Sequence, residues 1–231
     1  MEKALNVSQG PITGAADSVI VKLNYTYTVS NTFDISSAFD HVLRLNDVFD
    51  PDATGFGDQP VGFDQWSTFY SRNKVLKCKV TYEAASTGAN VAMAMYPKTT
   101  NVGPDNIREV ISNPRSHWKV LSFTGPASRI EKSFDIRELF GLTPEQFGDD
   151  DYTGTSSSSP AQQYFLWIHG SVVGGTTGGA INLQGYVKLE YTIQFFDRND
   201  LDLSFILKER DLYEKYLRSK GLTIPVIERK H

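Results

Sequence analysis

An all-β fold, with eight strands in a double-sheet jelly-roll sandwich, is the architecture this sequence predicts. Short helices are expected only in loops, followed by a C-terminal helix and arm. Two runs carry the prediction. Ser18 to Val29 alternates Val19, Val21, Leu23, Tyr25 and Tyr27 with Lys22, Asn24 and Thr26. Gly185 to Asp197 alternates Val187, Leu189, Tyr191, Ile193 and Phe195 with Lys188, Glu190, Thr192 and Gln194. A period of two marks a strand with one face buried. The third observation is spacing: short turns throughout, with one very long connection early in the chain. That suits a jelly roll better than an immunoglobulin-type sandwich, which needs fewer residues and shorter loops. No internal repeat marks a propeller or solenoid.

Taken in order, residues 1–17 are polar, with Gly10-Pro11 and Gly14, and read as an N-terminal arm. The shell of strands spans 18–199. A second strand covers Ile35 to Leu45 and a third Lys74 to Ala85, with Val75, Lys77, Lys79 and Thr81 on one face and Leu76, Cys78, Val80 and Tyr82 on the other. A fourth, Asn90 to Tyr96, follows the turn Ser86-Thr87-Gly88. A short helix over Asp105 to Ser112 is capped by Asp105 and stopped by Asn113-Pro114. Strands resume at His117 to Phe123 and Arg129 to Ile136. Gly148 to Pro160, acidic and then serine-rich, reads as an exposed mobile loop. Gln163 to Val172 is the seventh strand, and the glycine-rich VGGTTGGA leads into the last. Residues 200–231 change character. LSFILKERDLYEKYLRSKGL carries Leu203, Ile206, Leu207, Tyr213, Tyr216 and Leu217 as a loose apolar stripe, ended by Gly221. The tail then exposes Ile224, Val226 and Ile227.

The chemistry of an enzyme is missing. His41, His117, His169 and His231 are isolated from one another, with no H-x-H or H-E-x-x-H pattern for a metal. There is no G-x-S-x-G elbow. The lone Cys78 excludes an internal disulfide and sits in an alternating run as a buried strand residue. Two oxygen-rich groups, Asp47/Asp50/Asp52 and Asp149/Asp150/Asp151, have the ligand type calcium favours. Neither matches a calcium-loop spacing, and aspartates in turns bond their own backbone. No metal and no cofactor is therefore expected. A net charge of −4 argues against a surface that grips nucleic acid all round. No run is long enough to span a bilayer and no opening segment resembles a signal peptide, so no membrane partner is expected.

The long connection starts at Asp40: DHVLRLNDVFDPDATGFGDQPVGFDQWSTFYSR. It breaks at Asp50-Pro51 into a loop with Gly55, Gly57, Pro60 and Gly62, then enters a short amphipathic turn with Phe63, Trp66, Phe69 and Tyr70 three and four residues apart. Loops this long carry function or an interface. The segment LNDVFDPDATGFGDQPVGFDQWSTFY resembles the stretch after the second core strand in capsid proteins of small circular single-stranded DNA viruses, the circovirus-like single jelly rolls. Leu45, Asn46, Phe49, Asp50, Pro51, Asp52, Thr54, Gly55, Gly57, Gln59, Pro60, Gly62, Asp64, Gln65 and Tyr70 stand at the pattern's positions. Asp58 departs from it, standing where His or another polar residue is expected.

The resemblance implies a jelly-roll coat protein. Its copies, 60 of them in this reading, would self-assemble into a small icosahedral shell around a genome of single-stranded DNA. The protein would be part of the virion, and would pass through the host nucleus or cytoplasm during assembly. The host receptor is not indicated by any residue. On this reading Phe49, Asp50, Pro51, Gln59, Pro60, Phe63, Trp66 and Tyr70 order a loop at a contact between subunits. Ile206, Tyr213, Tyr216 and Ile224 would serve the same end from the C-terminal helix and tail. The arginine-rich arm usual in such proteins is absent, since residues 1–17 hold only Lys3 as a base. Either it is lost from this version of the chain or packaging uses basic residues of the shell wall. The candidates are Arg72, Lys74, Lys77 and Lys79, with Arg108, Arg115 and Lys119 as a second group. The competing class is a soluble carbohydrate-binding, lectin-like jelly roll, which the absence of disulfides and of a signal peptide weakens.

Overall fold

The computed structural model describes residues 17–34, 36–55, 57–174 and 180–199. All of the expected 1–17 arm but Asp17, the C-terminal helix and tail, and Ile206, Tyr213, Tyr216 and Ile224 with them lie outside the described residues. In chain order the elements are β1 (Ser18–Phe33), β2 (Ala38–Arg44), α1 (Phe63–Phe69), β3 (Tyr70–Thr87), β4 (Asn90–Lys98), α2 (Ile107–Ser112), β5 (His117–Leu121) and β6 (Ser128–Asp135). They continue with α3 (Ile136–Phe140), α4 (Pro144–Phe147), a 3₁₀ turn (Asp150–Tyr152), β7 (Gly154–Thr155), β8 (Phe165–Gly174) and β9 (Ile181–Arg198).

The strands form two antiparallel sheets. One runs β1-β9-β3-β6, and the other β2-β8-β4-β5. Each sheet draws alternately from the two halves of the chain, which is the double Greek key of a jelly roll. The eight strands expected are all present, and the two-residue β7 adds a short pairing beside β3. The inward faces of both sheets meet in one core, which contains Leu23, Val80, Tyr82, Leu166, Leu189 and Phe195. Residues 17–198 make one compact unit.

β1 and β9 follow the period of two that their sequences show, with Leu23 and Tyr25 buried opposite Tyr191 and Leu189, and Val29 buried opposite Gly185. β3 departs from it. A bulge between Val75 and Lys77 inserts Leu76 against β9, and an inserted residue reverses the faces on either side of it. Val75 therefore points into the core with Cys78 and Val80, not outward with Lys77 as expected. The cap of α2 is also corrected. The Asn106 side chain, not that of Asp105, accepts from the amides of Arg108 and Glu109, satisfying two of the helix's free donors.

Gly148 to Pro160 is not a free loop. The Asn73 amide donates to the Thr155 carbonyl at 3.2 Å, and the Lys74 ammonium donates to the carbonyls of Phe147 and Asp149 at 2.6 and 3.1 Å. Thr153, Gly154 and Pro160 are buried as a result.

Candidate subunit interface and basic surface

The connection after β2 is folded against its own subunit by polar contacts that the motif residues supply. Asn46, buried, donates to the Gln162 carbonyl at 2.8 Å and accepts from the Tyr164 amide at 2.8 Å, tying the loop to the start of β8. The Asp47 carboxylate accepts from the amides of Phe49 and Asp50. Burial pushes its pKa up, against the pull of these bonds and of Arg44. Arg44 donates to the Asp50 carbonyl at 2.7 Å and pairs with its carboxylate at 2.6 Å, while Nε reaches Gln163 at 3.0 Å. Asp52 pairs in antiparallel fashion with Leu43 and accepts from both the amide and hydroxyl of Thr54. Of the aspartates considered as calcium ligands, Asp47 and Asp52 are thus spent on turns and Asp50 on Arg44. Gly57 is required by a close approach: a Cβ there would fall 2.4 Å from the Asp52 Cβ and 2.8 Å from the Tyr25 hydroxyl.

α1 corrects the expectation for the aromatic residues. Phe63 is 0% exposed and Tyr70 is buried. With Trp66 they surround Phe195 at ring-centroid distances of 6.1 to 6.4 Å. Phe63, Tyr70 and Phe195 are core of their own subunit, with half-buried Trp66 packed against them, because the helix lies over the end of β9. Pro51 and Pro60 are buried too. Phe49, Asp50 and Gln59 are half-buried and keep some surface. What the loop offers outward instead is Val61, 88% exposed, and Phe69, 41% exposed. No apolar periodicity marks Val61, which stands between a proline and a glycine.

The basic candidates divide. Lys74 is buried against Phe147 and held by two carbonyls, so it offers no charge to a ligand. Burial and neighbouring Arg72 lower its pKa. Arg72 is paired with Asp150 and, at 3.2 Å, with Asp197; the hydrogen bond to Asp150 is the main cause of its raised pKa. Lys77 lies 3.7 Å from Asp135, and Lys79 lies 2.8 Å from Glu131 and 3.9 Å from Glu190. Glu131 is also paired with Arg129, and Glu190 with Lys188. This outer face of the first sheet is an interleaved ladder of both signs, in which β-sheet register sets lysine beside carboxylate. Arg115 donates to the Tyr164 hydroxyl at 2.7 Å. Arg108 and Lys119 are exposed, with no carboxylate partner among the described residues.

Two histidine–aspartate pairs form, one between distant strands and one between β2 and the loop that follows it. His169, buried, holds Asp40 through Nδ1 at 2.7 Å. His41 lies 3.2 Å from Asp52 and stacks on Tyr27 with ring centroids 3.6 Å apart. Burial lowers the His41 pKa, and Asp52 opposes that shift. Among the described residues no three His, Cys, Asp or Glu side chains gather as a metal would need. Cys78 is fully buried, and burial holds its thiol protonated. The sequence gives no local sign of the His169 pair, whose partners meet through cross-strand register, while His41 meets Asp52 because the loop after β2 folds back on that strand.

No family model matches the chain, and no curated protein is similar to it. Among solved structures it is similar to one from Desmodium yellow mottle tymovirus, with 7% identity over 87% of this chain and 99% of the other, at a TM-score of 0.44. One from tobacco necrosis virus matches at 11% identity over 80% and 85%, TM-score 0.44. A semi-empty virus-like particle of the Macrobrachium rosenbergii nodavirus matches at 13% identity over 83% and 98%, TM-score 0.45. At such scores these likenesses add nothing to the fold, which stands on the strand order. The viruses named are RNA viruses and give the single-stranded DNA expectation no support.

Proposed function

We propose that this chain is the shell-forming subunit of a small icosahedral virus capsid, built from 60 copies around a single-stranded DNA genome. The observation that carries the reading is where the motif falls. The segment that resembles circovirus-like coat proteins begins at Leu45, directly after β2 of a jelly roll, and its polar residues fold it into an ordered surface rather than a free loop. Self-association is the work such a surface can do, through Val61, Phe69, Phe49 and Gln59. Packaging would fall to Arg108 and Lys119, and to the lysines of the charged ladder only where genome phosphate displaces their carboxylates. Virion is the resulting location.

Electron microscopy of the purified full-length protein tests the reading. Closed particles of uniform diameter are expected, and a monomer or dimer at all concentrations would overturn it. Nuclease digestion of extracted contents then tests the genome: material destroyed by ribonuclease and resistant to deoxyribonuclease would replace the DNA assignment with RNA.

A further inference from the structure

β1 is the terminal strand of its sheet, paired along its whole length with β9. Among the described residues nothing pairs with its outer edge. A cleft of about 1010 Å³ runs along that edge, lined by six consecutive residues from Lys22 to Tyr27. Consecutive side chains of a strand point to opposite faces, so only the backbone edge can present all six to one cleft. The far wall is the motif loop, including Thr54, Asp58 and Val61, and His41 stands at the rim. Leu23, Tyr25 and Val61 supply apolar surface, while Asp52, which is paired with His41, and the exposed Asp58 bring negative charge to a cleft that also holds Lys22. That negative charge adds to burial in pushing the Tyr25 pKa up to about 12. A long unpaired edge beside an apolar wall is a template for an added strand.

We infer that the segment Thr223–His231 of a second copy lies in this cleft as an added strand on β1. The inference rests on the shell reading above. Three features of the segment fit. Ile224 and Val226 are two apart and would share one face, toward the apolar wall. Arg229 and Lys230 give it the charge that the exposed Asp58 attracts. Pro225 has no amide to donate, which restricts it to an outermost strand and would leave the extended sheet unable to recruit a further one. Reach allows a neighbour: with 203–222 helical, as their sequence reads, the 24 residues between Asn199 and Ile224 span roughly 45 Å. A unit of this size is about 40 Å across.

The test mixes two full-length variants during assembly. One carries Asn24→Cys on β1. The other carries a single cysteine substituted at one position from Thr223 to Glu228, each position being made in turn. Cys78 is buried and stays silent. Because the new cysteines are on different chains, a mixed disulfide can only be intermolecular, and it needs Cα atoms within about 7 Å. The expected result is a cross-linked dimer at one tail position, at least tenfold weaker at the positions on either side. Particles with no cross-link, or with equal cross-linking at every position, would overturn the docking and leave the shell reading standing. Cross-linked dimers without particles would support the docking and remove the shell. Neither particles nor cross-links would remove both.

Discussion

The two sheets hide their residues by different rules. In β9 every second residue from Ile181 to Phe195 except Gly185 is buried, and the residues between them form a largely polar, half-exposed face. In β4 the seven residues from Val91 to Pro97 are all buried. The cause is α2 and the chain before it, which lie across the outer side of the second sheet: Val110 and Ile107 pack on Ala94 and Tyr96, and Gly103 fits against Trp167. A strand covered on both faces has no position where a polar side chain is free. The small Ala92 and Ala94 make room for that cover. The first sheet has no such lid among the described residues, and its outer face is an ion-pair ladder.

The largest effect should come from exchanging the two rules. Ala94→Glu places an unpaired charge beneath α2 and should cost at least about 4 kcal/mol in urea unfolding. Thr192→Glu, on the outer face of β9, should change stability by less than about 0.5 kcal/mol. Equal effects would mean that the lid over β4 does not exist in solution.

Next in size is the contrast between buried and exposed parts of the motif loop and α1. Trp66→Ala removes a ring stacked on Phe195 and should cost about 3 kcal/mol. Val61→Asp should leave unfolding within about 0.5 kcal/mol while abolishing particles seen by electron microscopy. Intact particles from Val61→Asp would exclude that residue from the contact between subunits.

Smaller again is the contrast between two lysines of β3. Lys74→Met keeps the stem but strands two carbonyls, which should cost about 1–3 kcal/mol and speed amide exchange over 148–155. Lys79→Ala breaks exposed pairs and should cost under about 1 kcal/mol.

The smallest effect is in acid. Burial lowers the folded-state pKa of His41, so the unfolded chain binds the proton more readily. Stability is therefore complete above about pH 6.5 and falls as pH drops from there toward the folded value. His117 shifts in the same direction, so His41→Gln should flatten the acid limb of the stability profile without removing it. A profile unchanged by the substitution would show that His41 does not titrate on unfolding.

How much of this was legible in the residues depends on where each signal lives. Alternation placed β1 and β9, because each has one watered face and its hydrophobic pattern is a local property. The bulge at Leu76 has only a faint local mark: Val75 and Leu76 are adjacent apolar residues that break the alternation, and only pairing with Ile193 and Thr192 reveals which residue is extra. The docking of 148–160 was hidden for a similar reason. Its composition is that of a solvated loop, and its anchors, Asn73 and Lys74, are more than seventy residues away. The motif itself was legible as a pattern but not as a geometry. Its aromatic residues looked like contacts for a neighbour, whereas Phe63 and Tyr70 close the end of the sandwich, because the helix they flank has β9 to lie on.

The pairing of β1 with β9 also sets a timetable. Among the described residues the first strand made is hydrogen-bonded only to the last one made, from Ser18 opposite Phe196 to Phe33 opposite Ile181. About 150 residues must leave the ribosome between the two, a wait of roughly 7–30 s at cellular synthesis rates. Throughout that interval sixteen residues of strongly strand-forming chain have both backbone edges bare, and every neighbouring nascent copy carries the same exposed ribbon.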